Sequence, residues 1–312
     1  MRTPTRLSWD VAGDGPPLLL LHGLGATRDE FAGLRPSLEA EYGVLAPDLP
    51  GAGASPALRR RPTVPAVADT LEADLDRMGM GDVHVVGVSV GARIALELAR
   101  RHRARSVVAI SPSGMNLPPE RLYQGAALAT TRLLWRGLRP VVDPLARSRV
   151  GRGALTAGLR TWPWGATELE ARSFGLGFAD SADFWRLLWW AVLADVPAGL
   201  DEVRCPVALA QGTVDLLAGG QTPRYLLTVP GAQFTPLPGG GHSPESDTPR
   251  TILHLVHEVT RRADARGPGP HDRQPGSPDG SGTSAVNGSG TPKSGRPSAS
   301  HERRWARAVR PS

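Results

Sequence analysis

Three short stretches hold side chains that could act together on a carbonyl carbon. Gly87-Val88-Ser89-Val90-Gly91 sets one hydroxyl between two glycines. A serine hydroxyl is a poor nucleophile near neutral pH and needs a base. Gly239-Gly240-Gly241-His242 offers an imidazole at the end of a glycine run. That imidazole in turn needs an acid, which fixes its tautomer and stabilises the imidazolium. Gly212-Thr213-Val214-Asp215 offers the carboxylate. The candidate triad is therefore Ser89, Asp215 and His242, in that chain order, one of three orders in which unrelated folds thread these groups.

Such chemistry requires elements that hold each group still. The Val83–Val88 run, VHVVGV, reads as a buried strand, and the pattern from Val90 to about His102 reads as a helix. A serine at that strand-to-helix junction is forced into an unusual backbone conformation, and small neighbours let other chain segments pass close by. Further strands are predicted within 16–23, 42–51, 105–114, 206–212 and 232–242. Helical patterns occupy 28–40, 65–78, 221–228 and 247–262. Alternation of apolar strands with helices implies a mostly parallel sheet covered on both faces. Asp215 falls just past the strand at 206–212, and His242 follows the strand within 232–242.

Residues 115–203 break the rhythm, with helical patterning and six of the eight tryptophans. The expected organisation is a core of 1–114 and 204–262, a helical cap inserted at 115–203, and a tail at 263–312. Trp185 and Trp189 are the candidate substrate-binding residues. The bland alternative is that the cap tryptophans pack the cap itself. Arg93, on the helix after Ser89, reads as a surface or inter-helix ion-pair residue.

The stretches LLLLHGLGAT (18–27), APDLPGAGAS (46–55), GVSVGAR (87–93), GTVD (212–215) and GGGH (239–242) together resemble the α/β-hydrolase-fold serine hydrolases with a helical cap. The likeness covers about residues 5–262. It implies an oxyanion hole formed by the backbone N–H groups of Val90 and Leu24. In that family the aspartate of a PDLPG stretch, here Asp48, organises a loop, and His22 belongs to the oxyanion turn as a structural ring. Some members carry the acid after the strand that precedes the cap. Here that stretch is SPSGMN (111–116), without a carboxylate, so Asp215 stands.

The resemblance implies hydrolysis of a carboxylic ester, lactone or thioester, with no metal or organic cofactor, and the large apolar residues of the cap favour a small hydrophobic substrate. Diketone C–C hydrolysis, amide cleavage, acyl transfer and perhydrolysis use the same triad. A small-ligand sensor on the same fold is the alternative outside enzymology. The net charge of +6 is no sign of a nucleic-acid partner, because residues 261–312 carry ten Arg/Lys and four Asp/Glu, leaving the rest balanced. The Gly/Pro/Ser-rich composition from 267 to 300 predicts disorder. A single cysteine, Cys205, excludes an intrachain disulfide. The chain shows no apolar run of membrane-spanning length and no leader-like start, so a cytoplasmic location is expected.

Overall fold

The computed structural model describes residues 5–267. Seven strands form one sheet: β1 (Trp9–Ala12), β2 (Pro17–Leu21), β3 (Gly43–Pro47), β4 (Val83–Val88), β5 (Ala104–Ile110), β6 (Val207–Gly212) and β7 (Gln233–Leu237). Their order is β1-β3-β2-β4-β5-β6-β7. β1 runs antiparallel to β3, and every other pairing is parallel. This is an α/β-hydrolase fold, as expected.

The helices outside the long insertion are α1 (Arg35–Glu39), α2 (Val64–Arg77), α3 (Val90–Arg100), α9 (Thr222–Thr228) and α10 (Pro249–Asp264). Between β5 and β6 lie α4 (Pro118–Gly137), α5 (Val142–Arg147), α6 (Arg149–Thr156), α7 (Glu168–Asp180) and α8 (Phe184–Leu187), the last continuing as a π-helix over Leu188–Leu193.

Successive strand residues point to opposite faces, and the core divides accordingly. Leu19, Leu21, Val85, Val107 and Leu209 pack on the side holding Val67, Leu71, Ile94 and Leu98 of α2 and α3. Leu18, Leu20, Val86, Val108 and Ala210 pack on the side holding Leu38 of α1 and Ile252, Leu255 and Val256 of α10. Both faces are covered, which is why all six residues of β4 are buried and why its sequence is apolar throughout.

Three expectations change. Strand β1 was not predicted: it is a four-residue, half-buried edge with weak alternation. The single helix expected at 28–40 is a 3-10 turn (Arg28–Phe31) and the short α1, interrupted around Gly33 and Pro36. The tail expected from 263 begins inside α10, which continues to Asp264; the rest of that expectation, from 268 onward, lies outside the described residues. Among the described residues no helix is long and apolar enough to cross a membrane.

Candidate active site

Four loops meet at the carboxyl ends of the parallel strands, where ligands of open α/β sheets bind. They follow β2 (His22–Thr27), β4 (Ser89), β6 (Thr213–Asp215) and β7 (Pro238–Ser243).

Ser89 stands between β4 and α3 with φ 55° and ψ −115°, a conformation that costs a non-glycine residue free energy. The turn is held on both sides. The Ser89 N–H donates to the Ile110 carbonyl (2.9 Å), and its own carbonyl accepts from the N–H groups of Arg93 (3.2 Å) and Ser113 (3.3 Å). Val90 opens α3, where an N–H has no intrahelical acceptor and meets the positive end of the helix.

His242 and Asp215 are brought together. His242 Nδ1 lies 2.9 Å from Asp215 Oδ2, and both side chains are buried. The same carboxylate oxygen accepts from Gln211 Nε2. Its partner Oδ1 accepts from the N–H groups of Leu217 (2.8 Å) and Ala218 (2.9 Å). Burial alone would raise the Asp215 carboxyl, but the His242 imidazole and those two N–H groups hold it well below the usual carboxylate range. Burial alone would lower His242, yet Asp215, with Glu30 adding to it, leaves the imidazole above its ordinary value. A carboxylate that cannot take the proton, facing Nδ1, leaves Nε2 as the basic atom.

The turn after β2 is rigid for a different reason. The Leu49 N–H donates to His22 Nε2 (2.8 Å), so Nδ1 carries the ring proton and donates to the Gly23 carbonyl (2.8 Å). Both ring nitrogens are spent on backbone. The Gly23 N–H donates to Glu30 Oε2 (2.7 Å), and Leu24 is the next residue. Asp48 is likewise occupied by the N–H groups of Arg28 (3.0 Å) and Ala54 (2.9 Å).

Ser89, His242 and Leu24 line one narrow cavity of about 10 Å³, room for about one water. Leu128, Leu159, Phe174 and Val192, all from the insertion, and Leu217 complete its apolar wall. A larger groove of about 310 Å³, bounded by Arg93, Glu97, Arg100 and Asp195, holds neither Ser89 nor His242 and is not the place for this chemistry.

Trp185 and Trp189 are not brought to the cavity. They are 48% and 57% exposed. Phe184, Leu187, Leu188, Ala191 and Val192 are the buried residues of that segment, so residues 185 and 189, four apart, share the opposite face. Val192 takes the place expected of them. Arg93 is buried rather than superficial. It donates to the Ala191 carbonyl (2.6 Å) and pairs with Asp195 (3.0 Å), tying α3 to the end of the insertion.

A second polar cluster, with no signal in the sequence, lies beside His242. Arg160, between α6 and α7, reaches Glu170 and Glu245 at 3.3 Å each, and all three side chains are fully buried. The same segment clasps the histidine loop through its backbone. The Ser243 N–H donates to the Leu159 carbonyl (2.9 Å), and the N–H groups of Thr161 (3.0 Å) and Trp162 (2.8 Å) donate to Asp247. Separate acidic letters 75 residues apart carry no periodic signal, so only the fold reveals the cluster.

A family model described as alpha/beta hydrolase fold matches residues 16–243. The chain belongs to the α/β-hydrolase-fold family. This hydrolase is 32% identical to a pimeloyl-[acyl-carrier protein] methyl ester esterase of Aromatoleum aromaticum, over 79% of its own length and 98% of the relative's. Among solved structures it resembles the carboxylesterase CesB of Bacillus subtilis, with a TM-score of 0.64, 20% identity and coverage of 82% and 88% of the two chains. It also resembles the enol-lactonase of Burkholderia xenovorans LB400, with a TM-score of 0.58, 19% identity and coverage of 82% and 94%. The α/β hydrolase is thus an enzyme with esterases among its relatives.

Proposed function

We propose that the chain is a serine-dependent carboxylic ester hydrolase for small, apolar acyl groups. The observation that carries this reading is the buried His242–Asp215 hydrogen bond, set in one cavity with a serine in strained backbone. Ser89 Oγ attacks the ester carbonyl while His242 Nε2 takes its proton. The oxyanion is held by the N–H groups of Val90 and Leu24, an arrangement whose single donors are worth about 10²–10³ in rate. His242, charged and facing Asp215, then protonates the leaving alcohol. Water, activated by the same imidazole, cleaves the acyl-enzyme. No cofactor enters these steps.

The insertion (115–203) serves as a cap, and residues 1–114 and 204–262 as the catalytic core. Leu128, Leu159, Phe174 and Val192 project from the cap over the serine, so the acyl group meets an apolar wall. The relative at 32% identity is named for a carboxylic ester substrate, which favours ester over C–C or amide cleavage.

Labelling with a fluorophosphonate, followed by peptide mass spectrometry, tests the reading without knowledge of the substrate. The adduct is expected on Ser89 and absent from Ser89→Ala. A folded protein that hydrolyses p-nitrophenyl acetate equally well with and without Ser89 would sink it.

A further inference from the structure

Glu30 takes no part in the mechanism above, yet it is completely buried at the edge of the same cavity. It sits in the 3-10 turn Arg28–Phe31. Its two carboxylate oxygens serve two different loops. Oε2 accepts the Gly23 N–H at 2.7 Å, and Oε1 accepts the Ser243 hydroxyl at 3.1 Å. Gly23 precedes the oxyanion donor Leu24, and Ser243 follows the base His242. One side chain therefore spans the two halves of the catalytic apparatus that come from opposite ends of the sequence.

We infer that Glu30 is a positioning residue, holding the oxyanion turn and the histidine loop in register across the cavity. The inference rests on the hydrolytic reading of Ser89 and His242. A carboxylate suits the task because both of its oxygens accept and neither must give up a lone pair to its own proton. A peptide N–H fixed by a buried charged acceptor is held by a short, strong bond, and oxyanion donors act through such fixity.

The charge itself is consequential. The groups facing Glu30 are His242 and Glu245 from the histidine loop, and Arg160 from the cap, with Glu170 of α7 and Asp215 beyond them. Arg160 is the one guanidinium among these three glutamates, and Glu170 and Glu245 already engage it. Glu245 has one buried oxygen without a partner, and burial pushes its carboxyl well above the usual range. Burial raises the Glu30 carboxyl too, but the Gly23 N–H, Arg160, the Ser243 hydroxyl and His242 oppose that rise, and Glu30 adds to the field that raises the imidazole.

The experiment uses the full chain with Glu30→Gln, Glu30→Met and Ser243→Ala. Active sites are counted by fluorophosphonate titration of one aliquot, and kcat, KM and the pH profile of p-nitrophenyl acetate hydrolysis are measured on unlabelled enzyme and expressed per titrated site. Glu30→Met is expected to lower kcat about 10²-fold with KM little changed, since the oxyanion contact exists only in the transition state. Glu30→Gln keeps an acceptor for Gly23 and should recover most of kcat. Because it lacks the charge, the acid limb of its profile should move to lower pH. Ser243→Ala breaks the Oε1 contact from the other side and is expected to lower kcat several-fold; it keeps the test decisive if Glu30→Met does not fold.

Variants that melt earlier but keep the wild-type kcat and pH profile per titrated site would show Glu30 to be only structural, and the proposal would fall. Failure of the wild type itself to label at Ser89 would instead undo the hydrolytic reading, a distinct result.

Discussion

The α-carbon of Gly91 lies so close to the Leu21 carbonyl that a Cβ built on it would stand 2.1 Å from that oxygen. The same Cβ would stand 2.6 Å from the His22 carbonyl. Gly91 is in the first turn of α3, and Leu21 and His22 lead into the turn that carries Leu24. The second glycine of the pentapeptide thus lets the helix behind Ser89 press against the backbone that carries Leu24. Gly87, the first, has the same relation to Gly91, whose carbonyl oxygen would lie 2.4 Å from its Cβ. The two glycines close the distance between the proposed nucleophile and the proposed donors.

Gly91→Ala is therefore expected to damage geometry as well as stability. Backbone cannot yield as a side-chain tip can, so overpacking should cost about 1–3 kcal/mol. Thermal melting reads the first effect. The rate of fluorophosphonate labelling per folded molecule reads the second, and it should fall more than for a Gly137→Ala control, where a Cβ meets nothing within 4 Å.

Ser89→Gly should be more stable than the wild type while losing activity. A positive φ of 55° strains serine and suits glycine, and such strain is worth about 1–3 kcal/mol. Part of that gain is offset by the looser unfolded chain. The net effect expected is a Tm raised by roughly 2–4 °C, the shift that about 1 kcal/mol produces in a chain of this size. A Tm unchanged or lowered would mean that the elbow is not strained.

Hydrolysis should rise with pH along an acid limb centred above the ordinary histidine value of 6.5, because His242 must be neutral to accept the serine proton and its imidazole is raised by Asp215. Asp215→Asn should shift that limb to lower pH and reduce kcat about 10⁴-fold, because an amide facing Nδ1 favours the tautomer with its proton on Nε2. The pair also shapes stability. The His242 contribution is full below its unfolded value of about 6.5 and is lost as pH rises through the folded one. The Asp215 carboxyl is lowered, so its contribution is full above its unfolded value of about 3.9 and is lost as pH falls toward the folded one. Melting temperatures of wild type and Asp215→Asn across this range check both limbs.

Arg160→Met should destabilise the protein by about 3–5 kcal/mol, because it leaves Glu170 and Glu245 buried without their cation. Glu245 would then be driven further toward its neutral form. The folded variant would hold protons that its unfolded chain releases, so its stability should decline further as pH rises above the carboxylate range. Denaturant melts at two pH values suffice.

Val192→Ala should enlarge the cavity beside Ser89 and broaden the range of acyl groups accepted. Val192 is 2% exposed, and losing its two methyl groups should cost about 1–3 kcal/mol. The kcat/KM ratio for butyrate over acetate esters should rise. The same substitution at exposed Val196 (58%) should change neither quantity.

Much of this architecture could be read from the chain because its signals are local. The apolar run of β4, the glycines around Ser89 and the GGGH loop each declare a strand or a turn within a few residues, and the spacing of GTVD after its strand locates Asp215. What escaped was non-local or weak. Strand β1 is four half-buried residues whose only anchor is the edge of β3. Trp185 and Trp189 stand out in the sequence as large apolar letters, but helical phase turns them outward and Val192 inward. Glu30, Arg160, Glu170 and Glu245 carry no local pattern that separates them from solvated charges. Burial makes them partners, and burial follows from how the insertion between β5 and β6 seats on the sheet.

The clasp of residues 159–162 on the histidine loop bears on modularity. An inserted helical unit joined only by its two chain ends could be exchanged between relatives as a cassette. Here the recipient must also supply Glu245, Ser246 and Asp247, because Arg160, Thr161 and Trp162 are bonded to them. A graft that ignores those three residues would bring a foreign lid and, in the same stroke, dislodge the host's own histidine.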